Sequence, residues 1–571
     1  MFERYADTTF ANGYEFTQGS GYVLPEYPFV EPPEIKAGTP GHHPIVIVGG
    51  GITGLTAACC LARLGVSAVL LDEDNTVGVK GASSRGIVYT QKSLEIFQRL
   101  GVYEAIAAKG TRWSVGRTFA GSDEVYSFDM RKQSGFNLSS QPPFINIQQF
   151  YIEAFLVDRI REVGHVDLRW CNRVTAFSQD EQGALLSVTT PAGDYQLRAD
   201  YVIDATGSRT PFRGWVGASV TAKKGDDRWC IADVRFTKHP PVERHTWIEA
   251  PFNDNRAVWQ HLMADDVWRI DYQMAPDADP AYVSREDVVR ERLARQFGPD
   301  TEVDIVWVGP YAYRSECIDQ MRHGRVFFMG DSAKVVSPFG ARGGNTGIAD
   351  ADNLSWKLAA VLRGRAGPAL LDSYHEERHE AATQNVLVTN RTARFLRPAD
   401  GVERLFRTAA ISLAKQYLFA RQLVNTGRMA VANPYTRSRV CAQGGGQSVQ
   451  NVSFQWADGN AGTVNDLVQW AAGDLLLLVF GDLSAAARER LRALAASAPV
   501  RAVQVVSDGR AHCREHVRDP QGHLQGACHV FGHAWALVRP DAYVAATGES
   551  IDAGLINAVS ASLALTEGAQ A

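Results

Sequence analysis

The stretch IVIVGGGITG, residues 45–54, decides the fold of this chain. The short β-branched run Ile45–Val48 predicts a buried parallel strand. Residues 55–64 predict a helix that Gly65 closes, and residues 68–71 predict a second strand that ends at Asp72. Strand, helix and strand make a complete βαβ unit, so the chain is predicted to be an α/β protein.

The glycines of this unit have the spacing Gly49-x-Gly51-x-x-Gly54. The first glycine permits a tight turn, the second lets backbone approach a pyrophosphate, and the third lets helix and strand pack closely. The phosphates then lie at a helix N-terminus, where free N–H groups and the helix dipole favour negative charge. Asp72 at the second strand end is placed to accept hydrogen bonds from ribose hydroxyls. The unit predicts dinucleotide binding but does not separate NAD from FAD.

Composition excludes several other classes of protein. At about 150 residues per domain, 571 residues suggest about two to four domains. Apolar residues at 45% and charged residues at 21% are typical of a globular enzyme. Lys+Arg 58 against Asp+Glu 63 gives a net charge of −5, which argues against nucleic-acid and anionic-membrane partners. The longest dense apolar run, Leu475–Phe480, is far shorter than the roughly 20 residues that span a bilayer.

The compartment is predicted from the cysteines and the N-terminus. The eight cysteines show no CxxC and no regular spacing, so reduced thiols in a cytoplasmic protein are expected. The N-terminal residues MFERYADTTF lack the basic start and apolar core of a signal peptide.

Pattern changes divide the rest of the chain. Residues 1–44 are rich in aromatics, proline and glycine and predict an arm, either an exposed tail or a strap on its own domain or on a partner subunit. The middle section, with Trp229–Phe236, Ala257–Met263 and Val267–Met274, predicts antiparallel strands with one solvated face. Gly444–Gly446 predicts a linker to a small C-terminal α/β domain, which contains the strand Leu475–Phe480.

A second motif lies far along the chain. In RVFFMGD (325–331), residues 325–329 predict a strand that leads to Gly330 and Asp331. SPFGARGGN (337–345) leads into a long helix, and DADNLSWKL (350–358) continues it. Gly343, Gly344 and Asn345 open that helix, so bare N–H groups and the positive end of the dipole point outward. Pro338 offers a carbonyl but no donor.

These runs resemble the second FAD motif of the class A flavoprotein aromatic hydroxylases, typified by para-hydroxybenzoate hydroxylase. The likeness extends from about residue 45 to the C-terminus and is strongest to the branch that hydroxylates 3-(3-hydroxyphenyl)propionate. It implies a Rossmann-like FAD-binding domain, an inserted antiparallel-sheet substrate domain and a C-terminal thioredoxin-like α/β domain that here lacks CxxC. The corresponding ranges are 45–215 and 316–440 for FAD binding, 216–315 for substrate binding and 441–571 for the last domain.

The resemblance also implies the chemistry. NADPH or NADH reduces FAD, the reduced flavin captures O2 as a C4a-hydroperoxyflavin, and a small phenolic substrate takes up one oxygen atom. The family is expected to be dimeric, so a homodimer is predicted. The helix tip at Gly343 would stabilise the negative N1/O2 edge of the reduced flavin, and Asp331 would accept a hydrogen bond from a ribitol or ribose hydroxyl.

Further site residues follow from the same resemblance. Arg85 matches an arginine near the FAD pyrophosphate, and Gln149 (or Gln148 beside it) matches a glutamine near the ribityl chain. Pro338 matches the proline next to the flavin ring, and Arg269 matches an arginine tied to flavin movement. Tyr272 and His261 could address a phenolic hydroxyl, or they could be packing residues of an aromatic-rich sheet.

Some positions depart from the family pattern. In TGSRTPFR (206–213), Thr206 and Thr210 replace the family's Asp and Ser, while Gly207 and Arg213 match. Lys334 replaces a histidine and adds a positive charge near the cofactor. The run HEERH (375–379) matches a zinc motif, but no third ligand follows, so no metal site is predicted.

Two other functions stay open. A tailoring oxygenase of the same fold would hydroxylate or epoxidise a polyketide or antibiotic. A flavin-binding protein without oxygenase activity is suggested by Thr206.

Overall fold

A computed structural model describes residues 9–10, 14–15, 24–78, 86–132, 138–399, 401–425, 429–442, 444–507 and 511–565. The side chains of residues 9–10, 14–15, 223–227 and 312–314 lie outside that description.

Strands and helices alternate along the chain. In chain order, the strands of the first half are β1 (Thr9–Phe10), β2 (Tyr14–Glu15), β3 (Gly41–Val48), β4 (Ala68–Leu71), β5 (Val88–Thr90), β6 (Thr111–Arg112), β7 (Val115–Ala120), β8 (Asp123–Asp129), β9 (Phe144–Asn146), β10 (Val166–Arg169), β11 (Arg173–Asp180), β12 (Gly183–Thr190), β13 (Gly193–Asp204), β14 (Val220–Phe236) and β15 (Arg244–Ala250). Those of the second half are β16 (Arg256–Leu262), β17 (Val267–Gln273), β18 (Val303–Ile318), β19 (Arg322–His323), β20 (Val326–Phe328), β21 (Lys334–Val335), β22 (Ser453–Trp456), β23 (Ala461–Thr463), β24 (Leu475–Phe480), β25 (Val500–Val506), β26 (His516–Arg518), β27 (Trp535–Val538) and β28 (Val544–Gly548).

The α-helices are mostly short, with two long ones in the second half of the chain. They are α1 (Pro33–Ala37), α2 (Ile52–Arg63), α3 (Gln91–Leu100), α4 (Tyr103–Lys109), α5 (Gln149–Val163), α6 (Phe212–Trp215), α7 (Pro280–Val283), α8 (Glu286–Phe297), α9 (Arg342–Leu362), α10 (Asp372–Leu396), α11 (Gly401–Gln416), α12 (Val464–Trp470), α13 (Ala485–Ser497), α14 (His523–Ala527) and α15 (Ala553–Ser562).

The first large sheet is the predicted βαβ core. Its order is β10-β4-β3-β13-β12-β11, and β20 pairs with β13 in parallel. Strands β10, β4, β3 and β13 also run parallel, and all four residues of β4 are buried. Helices α2, α5 and α9 contribute to one apolar core with these strands. The carboxyl ends of β3, β4 and β20, which precede the turns at Gly49, Asp72 and Gly330, therefore meet at one edge of this sheet.

The second large sheet runs β21-β18-β14-β17-β16-β15-β7-β8 and is antiparallel except between β15 and β7. The prediction of one solvated face is wrong for its central strands, since every residue of β17 is buried. Helices α7 and α8 pack on one face, and Phe339 with α10 and α11 packs on the other. The sequence pattern failed because both covering layers come from other parts of the chain.

The third large sheet, β23-β22-β26-β25-β24-β27-β28, forms the C-terminal unit. Gly444–Gly446 leads into it, but the prediction of a linker is wrong. A Cβ on Gly445 would overlap Ala545 O, and one on Gly446 would overlap Tyr435 O. These glycines are packed against backbone and serve close approach rather than flexibility.

Residues 24–44 pack on the first sheet. Tyr27 stacks on Trp170 with ring centroids 4.5 Å apart, and Arg169 Nη1 donates to Glu34 Oε2 at 2.9 Å. Strand β3 begins at Gly41, so the segment joins the sheet before Pro44. Residues 24–44 therefore form a strap on their own domain and not an exposed tail.

Candidate functional site

The glycine-rich turn between β3 and α2 has the geometry that its spacing predicts. Gly49 has φ +107°, and a Cβ there would lie 2.5 Å from Ala205 O. A Cβ on Gly54 would overlap Gly49 O, so the third glycine allows the helix to approach the strand. At Gly51, by contrast, the nearest atom to a built Cβ is Glu153 Oε1 at 3.9 Å. The backbone at Gly51 is therefore open to a ligand.

Asp72 holds this turn. Its Oδ2 accepts from Gly50 N at 2.5 Å, and its Oδ1 accepts from Asp74 N at 2.7 Å. The carboxylate thus lies beside the turn, at the carboxyl end of β4, where a ribose is predicted.

The two motifs contact each other through Thr53. A Cβ on Gly330 would lie 2.6 Å from Thr53 Oγ1, and a Cβ on Gly347 would overlap the same oxygen. Thr53 lies in the first turn of α2, whereas Gly330 follows β20 and Gly347 lies in α9. Two stretches almost 300 residues apart in the chain therefore build one site.

This contact gives a stability prediction. We expect Gly347→Ala to lower the free energy of unfolding by about 1–3 kcal/mol, because its methyl group has to displace Thr53 or shift α9. The double variant Thr53→Ala/Gly347→Ala should recover part of this loss, since it removes the overlapping hydroxyl. Urea unfolding of the four proteins of the cycle measures the coupling. If the losses in free energy of unfolding of the two single variants are additive in the double variant, α2 and α9 do not contact each other at Thr53 and Gly347.

Helix α9 begins at the predicted glycines. Ala341 takes a left-handed conformation (φ +56°), and its N–H donates to Pro338 O at 3.0 Å. Asn345 Nδ2 donates to Val88 O at 2.9 Å, while its Oδ1 accepts from Thr90 N at 3.0 Å, which fixes the helix start against β5. Outside the adjacent residues and the backbone of α9 itself, no atom of the described residues lies nearer than 4.0 Å to a built Cβ at Gly343 or Gly344. An open helix N-terminus beside an open glycine turn fits a flavin dinucleotide.

The start of α5 borders the same turn. Gly86 N donates to Gln149 Oε1 at 3.1 Å, and Gln149 Nε2 donates to Glu153 Oε1 at 2.7 Å, the oxygen that faces Gly51. Gln148 instead is fully buried and donates to Ala264 O at 3.0 Å. Gln149 is thus the glutamine beside the site. Arg85 lies outside the described residues.

The threonines that depart from the family pattern bind Asp204. Its carboxylate accepts from Thr206 Oγ1 at 2.7 Å and from Thr210 Oγ1 at 2.5 Å. Burial raises the pKa of Asp204 to about 6, although these hydrogen bonds lower it. Arg213 donates to the backbone oxygens of Asp331 (3.2 Å) and Ser332 (2.9 Å). The segment therefore supports the turn that carries Asp331.

Lys334 does not place a free charge near the turn. It is buried and forms an ion pair with Asp350, which also accepts from Gly330 N at 3.0 Å and from Arg378 Nε at 2.7 Å. The positive charge that lysine adds at this position is therefore neutralised by Asp350 inside the protein.

The second sheet presents its polar residues on two faces. His261 pairs with Arg269 across β16 and β17, and Arg269 makes a two-pronged ion pair with Asp233 at 2.8 and 2.9 Å. Tyr272 lies on the opposite face, because side chains alternate along a strand. There it packs with α8, and its hydroxyl donates to Gln296 Oε1 at 2.8 Å. The structure brings His261 and Arg269 together but not Tyr272.

The face with His261 looks toward the Pro338 turn. Trp259, on the same face of β16, meets Phe339 edge to face with centroids 5.1 Å apart, and Pro338 itself is exposed. Arg244 and Asp271 share this face and are buried. Sequence reasoning missed both, and it missed Thr53, because a single arginine, aspartate or threonine carries no periodic signal.

A metal centre and a membrane-spanning helix are both absent from the part of the chain that the structure describes. That part contains no cluster of histidine, cysteine, aspartate or glutamate able to hold a metal ion. His375 of the HEERH run accepts from Met321 N through its Nδ1 at 3.2 Å. Among the same residues, no helix is long and apolar enough to cross a membrane.

Comparison with known proteins also indicates an FAD-binding protein. The family model described as "FAD binding domain" matches residues 42–389. A 3-(3-hydroxy-phenyl)propionate/3-hydroxycinnamic acid hydroxylase of Mycolicibacterium smegmatis is 28% identical over 63% of this chain and 63% of its own length, which is less than two thirds of that protein. A tetracenomycin A2 monooxygenase-dioxygenase of Streptomyces glaucescens is 28% identical over 88% of this chain and 92% of its own. The crystal structure of the flavin-dependent monooxygenase PieE in complex with FAD and substrate has the same fold, with a TM-score of 0.77, 23% identity and coverage of 92% and 99% of the two chains.

Proposed function

This chain belongs to the FAD binding domain family, and on that premise we propose that it is an FAD-dependent monooxygenase that hydroxylates the ring of a phenolic compound. The observation that carries the proposal is the contact of Thr53 with Gly330 and Gly347, which joins the open turn at Gly51 to the open helix start at Gly343. NADPH or NADH is the proposed electron donor and O2 the oxidant.

The cofactor residues are proposed from their positions around this junction. The pyrophosphate is assigned to the turn Gly49, Gly51 and Gly54 with Arg85, and one ribose to Asp72. Gln149 and Asp331 are assigned to the ribityl chain. Gly343, Gly344 and Asn345 are assigned to the pyrimidine edge of the ring, where the helix dipole stabilises negative charge by roughly 0.3–1 kcal/mol, or more when partly buried.

FAD, when bound, supplies the redox chemistry that passes electrons from the nicotinamide to O2 and an oxygen atom to the ring. The chain's own residues bind and shield the substrate. Trp259 and Phe339, which pack edge to face and are buried, are proposed to shield this space from water. Burial, with Arg244 and Arg269 beside it, lowers the pKa of His261 well below its usual value, so its ring is neutral and can accept a hydrogen bond from the phenol's hydroxyl. Asp233 holds Arg269 in a fixed orientation facing this space.

We extend the proposal to the whole chain. The second sheet is assigned to substrate binding, and the C-terminal unit to a thioredoxin-like domain without redox cysteines. The exposed apolar side chains of α11 and the turn after it, among them Leu405, Phe406 and Phe419, suit the interface of a homodimer. A cytoplasmic location agrees with eight free cysteines.

A second candidate is a tailoring oxygenase that acts on a polyketide. It is favoured by the Streptomyces glaucescens relative, which aligns with most of this chain.

The test is oxidation of NADPH and NADH by the flavin-loaded protein with and without phenols. We expect a simple phenol to accelerate oxidation and to yield a product with one added oxygen atom by mass spectrometry. Stimulation only by fused-ring polyketides would favour the second candidate. Bound flavin with no stimulation by either class would contradict the oxygenase proposal and leave a flavin-binding protein.

A further inference from the structure

Tyr89 has a buried hydroxyl without a hydrogen-bond partner. The residue is 1% exposed, and its Oη finds no partner within the described ranges of the chain. The ring itself is packed, since it meets Phe97 edge to face with centroids 6.1 Å apart. A buried phenol normally has a partner for its hydroxyl. An unpaired one that lies beside an open site indicates a ligand.

The hydroxyl lies beside the glycine-rich turn. A Cβ built on Gly86 would lie 3.0 Å from Tyr89 Oη and 2.9 Å from Gln149 Oε1, so both oxygens lie on the same side of Gly86. Gln149 donates to Glu153 Oε1, the oxygen that faces a Cβ built on Gly51. Tyr89 Oη is therefore a neighbour of the residues that border the open backbone at Gly51.

The second motif fixes the position of Tyr89. Asn345, near the start of α9, donates through Nδ2 to Val88 O at 2.9 Å, and its Oδ1 accepts from Thr90 N at 3.0 Å. Val88 and Thr90 are the residues on either side of Tyr89 in β5. Tyr89 thus lies where the two motifs meet, held by the helix start of one and facing the residues around the turn of the other.

The phenol is available as a donor. Burial, and then the charge of Glu153, raises the pKa of Tyr89 well above its ordinary value, so the hydroxyl keeps its proton at neutral pH. The nearby Gln149 Oε1 already accepts from Gly86 N at 3.1 Å. A neutral O–H without an acceptor needs an oxygen with free lone pairs, and the phosphates and ribityl hydroxyls of FAD offer such oxygens.

We propose that the Tyr89 hydroxyl donates a hydrogen bond to FAD beside Gln149, which makes Tyr89 a further cofactor-binding residue. The inference rests on the proposed function and adds to its flavin site a residue that neither glycine motif contains. The flavin-free protein bears the cost of a buried, unpaired hydroxyl, and bound FAD removes that cost. Removing the hydroxyl should therefore have opposite effects on the stability of the flavin-free protein and on the affinity for FAD.

The experiment compares Tyr89→Phe with the wild type in two measurements on flavin-free protein. These are the urea midpoint of unfolding and the FAD dissociation constant from a fluorescence titration. Because phenylalanine keeps the packed ring and lacks only the unpaired oxygen, the urea midpoint should equal or exceed that of the wild type. The affinity for FAD should fall by about tenfold, because one hydrogen bond to the cofactor is lost.

Tyr195→Phe is the matched control, because it removes the same atom where that atom has partners. Tyr195 Oη donates to Asn172 Oδ1 at 2.6 Å and accepts from Arg169 Nη1 at 3.3 Å. The residue lies near the amino end of β13, whereas the carboxyl end of that strand leads to the glycine turn. This variant should show the reverse pattern, with a lower urea midpoint and wild-type affinity for FAD.

The outcomes separate this inference from the proposed function. Wild-type affinity for FAD in Tyr89→Phe, as expected if the hydroxyl binds only a buried water, overturns the inference while phenol-stimulated NAD(P)H oxidation can still stand. A lower urea midpoint in flavin-free Tyr89→Phe also overturns it, because the hydroxyl would then stabilise the protein without FAD. If the wild type binds no FAD, the proposed function falls and this inference with it.

Discussion

Replacing Arg539 by methionine is expected to lower the free energy of unfolding by about 3–5 kcal/mol. Arg539 is fully buried in the hairpin between β27 and β28. Its Nη1 and Nη2 donate to Glu377 at 2.6 and 2.9 Å, and its Nε donates to Asp541 at 3.0 Å. Without the guanidinium, two carboxylates stay buried, with Lys357 remaining as a cation beside Glu377 at 2.7 Å. Removing one partner of a buried ion pair is costly because the other charge is left uncompensated.

This cluster joins the C-terminal unit to the proposed flavin site. Glu377 lies on α10, and the next residue, Arg378, binds Asp350, which accepts from Gly330 N. We therefore expect unfolding of Arg539→Met to release flavin at the same urea concentration at which tryptophan fluorescence changes. Arg501→Met is the control, because Arg501 is in the same unit but its side chain is 41% exposed, and its pair with Asp474 at 3.5 Å is worth roughly 0–1 kcal/mol. Equal losses in the two variants would contradict the role given to Arg539.

The pH dependence of the free energy of unfolding provides a second test of the Arg539→Met variant. Burial raises the pKa of Glu377, but Arg539 and Lys357 outweigh it, so the net pKa lies well below its ordinary value. A lowered pKa in the folded state stabilises the protein above the unfolded value of about 4.3, and this stabilisation is lost as the pH falls. The difference in the free energy of unfolding between the wild type and Arg539→Met should therefore become smaller as the pH falls below about 4.3.

Local pattern was enough to predict one strand of the first sheet and one of the third. The predicted strands at residues 68–71 and 475–480 are β4 and β24 with the same bounds. Helix α2 begins at Ile52, three residues before its predicted start, because the helix starts inside the glycine turn. Unbroken apolar runs and glycines at fixed offsets are local properties, so a single sequence reveals them.

Features that depend on distant segments were not predictable in this way. The burial of β17 on both faces depends on α8 and on Phe339, which follow it in the chain. Gly446 looks like a flexible residue in the sequence, yet it is packed against Tyr435 O. Arg244 and Asp271 are brought to one face by the strand register, which places Arg244 opposite His261 and Asp271 opposite Trp259.

Alanine at Gly51 and at Gly344 is expected to weaken FAD binding by about a hundredfold each, or ~2.8 kcal/mol. Neither methyl group meets a packed neighbour. Apart from adjacent residues and the backbone of the same helix, the nearest described atom to a Cβ on Gly51 is 3.9 Å away, and none lies within 4 Å of one on Gly344. Both variants should therefore keep the unfolding temperature of the flavin-free wild type. The loss arises because each methyl group would occupy the space where the cofactor approaches the backbone.

The most direct test of one flavin site built from two distant stretches is the FAD dissociation constant of flavin-free protein, measured by fluorescence titration for both variants. Gly214→Ala, in α6 and also without neighbours within 4 Å of its built Cβ, is the control and should bind FAD like the wild type. We predict one FAD per chain in the wild type and a similar loss of affinity in Gly51→Ala and Gly344→Ala. Loss of FAD in one of these variants with wild-type affinity in the other would show that the two stretches do not share a flavin.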